Sequence, residues 1–359
     1  MANSKLKLVT SAALPLLMFF HSSEIFSKEW TPENPTDIIL TYDKDFVSAQ
    51  DESQGPIDAQ STLSKVEQLI KSAKLPGNSQ NLMTAKQWLA KIDSQGLSSQ
   101  QKDRYYLAQA NIAQSQHDFE QSLTLLNNIG QSSLYFPQSL LVAARVYIIQ
   151  NQLDAAEQQC RRLISYNLPA SELCLIEVKV HQGELSTAKQ SIQRLAKRYQ
   201  EQSSPLSQYF HQISGTLYRI EKDYQRAQAS FANNLAQAPV SQWYRWADMA
   251  FQNSDTKKVY QAIHELEQNH SSIEDGLLIR LARAEQATNS GNKYQSLAKD
   301  RVQLRQLRKD DLHAADIAYY YTYVSPDSEL ASQWAQKNWE HVKEPADKEL
   351  LLQAQSLDH

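Results

Sequence analysis

Residues 208–239 read QYFHQISGTLYRIEKDYQRAQASFANNLAQAP, and the spacing of large and small side chains in this stretch decides the fold. A helix is predicted to open at KDYQRAQASF, from Lys222 onward. Along it the large Tyr224 is followed by the small Ala227 and then by the large Phe231, all on one helical face. Such an alternation lets two helices approach closely. The stretch therefore predicts a pair of tightly packed helices.

The same helix opening occurs four times along the chain. Its leading large residues lie 34, 32 and 39 residues apart, and they are Phe119, Leu153, Leu185 and Tyr224. The small residues three positions later are Ser122, Ala156, Ala188 and Ala227. The helix before each opening has a small residue of its own, in the series Ala110, Ala144, Val178, Gly215 and Ala247. A period near 34 residues predicts stacked helix hairpins, in which each pair buries one face against the next.

Helix hairpins with this period resemble the tetratricopeptide repeat. Residues 208–239 match the family's small, aromatic and proline positions with Gly215, Tyr218, Tyr224, Ala227, Phe231 and Pro239. The clearest copies run from 101 to 268. The resemblance implies an all-α fold, a right-handed superhelical solenoid of about eight antiparallel hairpins with a C-terminal capping helix. We expect this single solenoid to occupy residues 58–356.

The C-terminal tail carries a narrower resemblance. It is similar to the tail of a group of exported bacterial tetratricopeptide proteins of undefined activity, and the shared residues are Asn338, Trp339, Glu344, Pro345, Asp347 and Leu350 to Leu352.

Residues 1–27 have the layout of a secretory signal peptide. Lys5 and Lys7 precede an apolar run, residues 8–20, which is shorter than the about 20 residues that span a bilayer. We expect cleavage near Ser27, and retention as an anchor is the alternative. Residues 28–57 contain three prolines and no helical period, and are predicted to form an irregular arm. The mature chain is expected in the periplasm or otherwise exported, with no stable membrane span.

Composition disfavours several classes of function. The chain has 36 Lys and Arg against 40 Asp and Glu, a formal net charge of −4, which disfavours nucleic-acid binding. Its eight glycines are isolated, so the glycine-rich loops that hold nucleotide phosphates are absent. We expect no cofactor and no metal, and an interaction protein in place of an enzyme. The alternative is an accessory or catalytic protein of cell-wall or envelope polymer processing with an unrecognised carboxylate site.

The resemblance also implies where a partner binds. Tetratricopeptide arrays hold peptides on a concave surface lined by the first helix of each pair, and the residue after the small packing position faces that groove. Here this row is Asn111, Arg145, Lys179, Thr216 and Asp248, with Arg219 one turn after Thr216. Asn, Arg and Lys side chains suit a carboxylate or an extended backbone. We expect this groove to bind a protein or peptide partner, in particular an envelope protein. The alternative is that these residues form an ordinary polar row that faces solvent.

Two further clusters admit a structural and a functional interpretation. Arg301, Arg305 and Arg308 share one helical face, which indicates either a docking strip for an anionic partner or, as we favour, a solvated face. The aromatic clusters 243–246 and 319–323 cannot each lie on one helical face, so most of their rings are expected in the core.

Cys160 and Cys174 are the only cysteines of the chain. They are predicted on the second helix of one hairpin and the first helix of the next, at comparable heights. Two buried thiols are one interpretation. In an oxidising compartment a disulfide between neighbouring repeats is the other. A zinc site would need two more ligands, and only His181 is near in sequence.

Overall fold

A computed structural model describes residues 58–199 and 204–358, and within these ranges the chain is entirely helical, with no strand. The predicted signal peptide and arm, residues 1–57, lie outside the described residues. The helices are α1 Ala59–Ser72, α2 Asn81–Ala90, α3 Ser99–Ser115, α4 Phe119–Asn127, α5 Phe136–Ile149, α6 Leu153–Arg162, α7 Leu168–Gln182, α8 Leu185–Tyr199, α9 Pro205–Ile220, α10 Tyr224–Phe231, α11 Val240–Gln252, α12 Thr256–Asn269, α13 Asp275–Thr288, α14 Lys293–Leu307, α15 Ala314–Tyr323, α16 Ser328–His341 and α17 Pro345–Gln355.

These helices pair in chain order into eight hairpins, from α1–α2 to α15–α16, and α17 follows as a single last helix. The two helices of each hairpin contact each other, and most first helices also contact the first helix of the next hairpin, as in α3–α5, α5–α7, α11–α13 and α13–α15. The prediction of an α-solenoid is confirmed.

Short turns with one left-handed residue separate the two helices of most hairpins. The residue with positive φ is His117, Asn151, Gly183, Lys222, Ser254 or Asn289 in successive hairpins. A left-handed residue ends a helix and satisfies its last carbonyl groups, so the next helix starts at once. Asp118 and Asp223 then cap the second helix, each accepting a hydrogen bond from the third residue beyond it.

Small residues let the two helices of a hairpin meet. A Cβ atom added to Gly215 of α9 would lie 2.6 Å from Cε1 of Phe231 on α10, and that ring is completely buried. Ala156, Ala188 and Ala227, the small residues predicted on second helices, are also fully buried. The alternation of large and small residues that predicted the fold therefore lies at the contacts between the two helices of each hairpin.

The curvature of the array brings distant repeats together. Near the N-terminus the amide of Gly77 donates to both carboxylate oxygens of Glu274, at 3.1 and 3.0 Å, and the amide of Val240 donates to Lys74 O at 2.8 Å. At the other end the amide of Lys343 donates to Ile149 O at 2.8 Å. The segment that leads into α17 consequently reaches the inner side of the third hairpin.

None of the helices in the described ranges is long and apolar enough to cross a bilayer.

Candidate functional site

The predicted groove row lies on α3, α5, α7, α9 and α11, but two of its members are already satisfied within their own helices. Asn111 is buried, and its amide nitrogen donates to Leu107 O at 2.8 Å. The hydroxyl of Thr216 donates to Gln212 O at 2.9 Å. Lys179 lies at a more exposed place and pairs with Glu184 at 3.2 Å.

Arg145 is engaged by the chain's own C-terminal segment. Its guanidinium donates to Glu344 Oε1 at 2.7 Å and to Glu177 Oε1 at 3.0 Å. Arg245 on α11 donates to the same Glu344 oxygen at 3.1 Å. Burial on its own would raise the pKa of Glu344, but Arg145 and Arg245 outweigh it and lower the pKa to about 2. Glu344 therefore stays ionised and ties the start of α17 to two first helices.

Arg219 holds the middle of α17. Its Nε and Nη2 both donate to Glu349 Oε2, at 2.9 and 2.8 Å. Between the two ion pairs lies Asp347, whose carboxylate accepts from the Asn338 amide at 2.8 Å and from the Glu344 backbone at 3.2 Å. Burial and the adjacent charge of Glu344 raise the pKa of Asp347 to about 7. The groove that was predicted to hold a partner thus contains the last helix of the chain.

A cavity of about 590 Å³ remains between α17 and the first helices α9, α11, α13 and α15. Exposed residues at its rim include Lys222, Leu312 and Leu352, so the cavity is open to solvent. Its size falls within the range of small-ligand pockets, about 300–1,000 Å³.

Arginine and aromatic side chains alternate on the wall formed by α11, α13 and α15. Arg280 makes two hydrogen bonds to Asp248, at 2.9 and 3.0 Å. Its guanidinium carbon lies 4.5 Å from the ring centre of Tyr244 and 4.2 Å from that of Tyr319. Asp248, the last member of the predicted row, is therefore paired inside the wall.

Arg283 lies one turn further along α13. It donates to the Tyr319 hydroxyl at 2.7 Å, and its guanidinium carbon lies 4.1 Å from the ring centres of both Phe251 and Tyr323. No carboxylate in the described ranges forms an ion pair with it. The aromatic rings hold this cation at the cavity without neutralising it.

Asp316 lies at the opposite end of the wall. It accepts no hydrogen bond from the residues that the structure describes, and burial raises its pKa. Together with the Tyr244 hydroxyl it closes over Gly276, where an added Cβ would come within 2.6 Å of Asp316 and 2.8 Å of Tyr244. Only glycine fits beneath this pair of polar groups.

The row predicted from the sequence ended at Asp248 on α11, two hairpins too early to include α13 and α15 of this wall. Ala282 and Ala318 are fully buried small residues on α13 and α15, in the same register as the earlier series. The residues that follow them are Arg283 and Tyr319. Extending the register beyond 268 would have found both; the more divergent second helices there concealed the repeat.

The remaining candidates from the sequence have structural roles. Cys160 on α6 and Cys174 on α7 are buried and form a disulfide, with Cα atoms 5.5 Å apart. Arg301 and Arg305 both donate to the buried Asp275 at 2.7 Å, so two members of the arginine strip join α14 to α13. The aromatic clusters contribute Trp243, Trp246, Tyr319 and Tyr320 to buried positions.

No group of three or more histidine, cysteine or acidic side chains converges as a metal site within residues 58–199 and 204–358.

Comparison with known families supports the helical-repeat assignment. Residues 41–162, about a third of the chain, match the family model described as "Tetratricopeptide repeat protein 21 ARM repeat". The chain is thus similar to a helical repeat family. No curated protein matches it significantly. Repeats of this kind stack into extended surfaces for protein contacts, which makes an interaction scaffold the class of function that the fold indicates.

Proposed function

We propose that this chain is an exported interaction scaffold that binds a peptide or a segment of a partner protein, such as an envelope protein, in its concave groove. The observation that carries the proposal is the 590 Å³ cavity, in which Arg283 lacks a carboxylate partner and Asp316 lacks a donor. Unmatched charges at a solvent-open cavity favour a polar ligand, because ligand contacts replace lost hydration.

Export is proposed from two independent features. The N-terminal sequence has the pattern of a signal peptide. The disulfide between Cys160 and Cys174 fits an oxidising compartment, because cytosolic thiols are kept reduced.

Capture of a partner from envelope extracts tests the proposal. Arg283→Met removes the unpaired charge but keeps a long side chain between the rings. The control is Arg226→Met, because Arg226 also stacks on a tyrosine, Tyr218, but lies outside the cavity. We expect crosslinking and mass spectrometry to identify a partner that wild type and Arg226→Met retain and Arg283→Met loses. Equal capture by all three proteins would exclude the cavity as the binding site.

One observation favours a catalytic or accessory role in envelope polymer processing as a second candidate. Glu344 and Asp347 are neighbouring carboxyl groups in the same cavity, with pKa values of about 2 and about 7. Two carboxyl groups whose pKa values are driven apart suit a general acid beside a permanent charge. Purified protein incubated with peptidoglycan would release soluble fragments, and Asp347→Asn would abolish the release. A wild-type protein that releases none would eliminate this candidate.

A further inference from the structure

Three ion pairs lie among the charged side chains that line the cavity. Arg219 pairs with Glu349, Arg245 with Glu344 and Arg280 with Asp248. What remains at one end is the guanidinium of Arg283, and at the other the carboxylate of Asp316. Lys222 lies exposed at the rim, and Asp347 already accepts two hydrogen bonds. Inside the cavity, Arg283 is therefore the cation without an ion pair and Asp316 the carboxylate without a donor among the described residues.

The positive end is built to receive an anion. Arg283 is clamped between Phe251 and Tyr323, so its orientation does not need to be fixed on binding. One of its terminal nitrogens donates to Tyr319, and the guanidinium has further N–H groups to offer. A carboxylate is the planar group that matches such a fork.

The negative end is built to receive an ammonium group. Asp316 accepts no hydrogen bond from the described residues. Arg280, the cation whose charge acts most strongly on it, is already bound to Asp248. The Tyr244 hydroxyl, which also has no hydrogen-bond partner in the described ranges, lies beside it over Gly276. Asp316 is half-buried, and a carboxylate that is withdrawn from water without a donor is costly. A primary ammonium with three N–H groups relieves that cost.

The distance between the two ends follows from the helices that carry them. Gly276, beneath Asp316, lies seven residues before Arg283 on α13, and Asp316 lies seven residues before Tyr323 on α15. At 1.5 Å rise per residue, seven residues separate the backbone positions at the two ends by about 10 Å on each helix. An extended chain covers about 3.3–3.6 Å per residue, so a peptide of about three residues spans the gap.

We propose that the cavity binds short peptides with free termini, about three residues long, with the ammonium group at Asp316 and the terminal carboxylate at Arg283. The inference rests on the proposed function, which it deepens by naming the ligand class and its direction in the groove. The hydroxyls of Tyr319, next to Arg283, and of Tyr244, next to Asp316, are available for hydrogen bonds to the peptide backbone near its two ends.

Four forms of one peptide test both ends. Tri-alanine, its N-acetyl form, its C-terminal amide and the doubly blocked form are titrated into the purified full-length protein by calorimetry at pH 7. We expect the free peptide to bind at least tenfold more tightly than either singly blocked form. Equal binding of free and blocked peptides, or no binding at millimolar concentration by tri-alanine or an equimolar tripeptide mixture, would overturn the proposal.

Two variants assign the ends. Arg283→Met should weaken the free peptide to the level of the amide and leave the affinity for the amide unchanged. Asp316→Asn should weaken binding of the free peptide to the level of the N-acetyl form and leave the affinity for the N-acetyl form unchanged. Matched controls are Arg226→Met and the exposed Asp300→Asn, which should bind tri-alanine like wild type. Circular dichroism verifies folding, and should a variant not fold, the blocked peptides still decide the outcome with wild-type protein.

The result also separates this inference from the scaffold function. If the protein captures a partner but binds no tripeptide, the proposed function is supported and the tripeptide inference is overturned. If the protein binds tri-alanine as described but captures no partner, the peptide site is supported and the scaffold function is overturned.

Discussion

Replacing Glu344 with glutamine removes one negative charge from the concave groove while it preserves the size of the side chain. Glu344 Oε1 accepts hydrogen bonds from Arg145 at 2.7 Å and Arg245 at 3.1 Å, and the side chain is only 17% exposed. In the variant, Arg145 keeps its ion pair with Glu177, but Arg245 keeps no ion pair among the described residues. The free energy of unfolding should fall, because a buried guanidinium loses its counter-charge.

The pKa of Glu344 sets the size of the effect. Burial works against ionisation, yet the two arginines lower the pKa from an ordinary value of 4.5 to about 2. At about 1.36 kcal/mol per pH unit, this corresponds to roughly 3.4 kcal/mol in favour of the folded, ionised state. Removing one partner of a buried ion pair costs a similar amount, about 3–5 kcal/mol. We expect Glu344→Gln to lose about 3 kcal/mol at a pH near 6, where Asp347 is still mostly protonated.

The sign with pH follows from the direction of the shift. Because the folded pKa lies below the unfolded one, the stabilisation is present above pH 4.5 and is lost as the pH falls towards 2. The difference between wild type and variant should therefore shrink towards zero in strong acid.

Urea unfolding measures the free energy, and hydrogen exchange of α17 reports the local effect, since repeat arrays can unfold in parts. The exposed Glu340→Gln serves as the control. A double-mutant cycle with Arg245→Met isolates the coupling between the two side chains. A loss below about 0.5 kcal/mol, the scale of an ordinary surface substitution, with unchanged exchange of α17 would refute the reasoning.

Three further predictions concern the core, the disulfide and the cavity. Alkylation without reduction should leave Cys160 and Cys174 unlabelled in mass spectra, and reduction should lower the free energy of unfolding by about 3 kcal/mol, as closure of a loop of about 15 residues predicts. Two labels would show that the bond is absent. Gly215→Ala should destabilise by about 1–3 kcal/mol in urea unfolding, because its methyl group meets a buried ring, whereas Gly130→Ala meets nothing within 4 Å and should not. Finally, the raised pKa of Asp347, about 7 against 3.8, means that its stabilising effect is complete below pH 3.8 and is lost as the pH rises through 7. Protection of α17 against hydrogen exchange, corrected for intrinsic rates, should fall over that range in wild type and stay level in Asp347→Asn.

The helix hairpins and their packing were predictable because they depend on neighbours in sequence. Gly215 and Phe231 are only 16 residues apart, and their spacing encodes the close approach of α9 and α10 directly. The proximity of Cys160 and Cys174 follows from the same local geometry, although the sequence left open whether they bond.

The predicted row of groove residues lies on first helices, as expected, but several of its side chains have partners within the chain that the sequence did not indicate. Arg145, Arg219 and Asp248 were assigned to a partner, and each is paired within the chain instead. Their ion pairs with Glu344 and Glu349 join residues 199 and 130 positions apart. No local pattern reports such contacts.

The sequence alone determined the helical period, the number of hairpins and the small residues on which they pack, because each of these depends on one turn or one loop. Only the tertiary structure decided what fills the groove. The array of hairpins curves because small rotations between many successive repeats add up. This curvature places α17 opposite the first helices. The same curvature forms the cavity, with Arg283 at one end and Asp316 at the other.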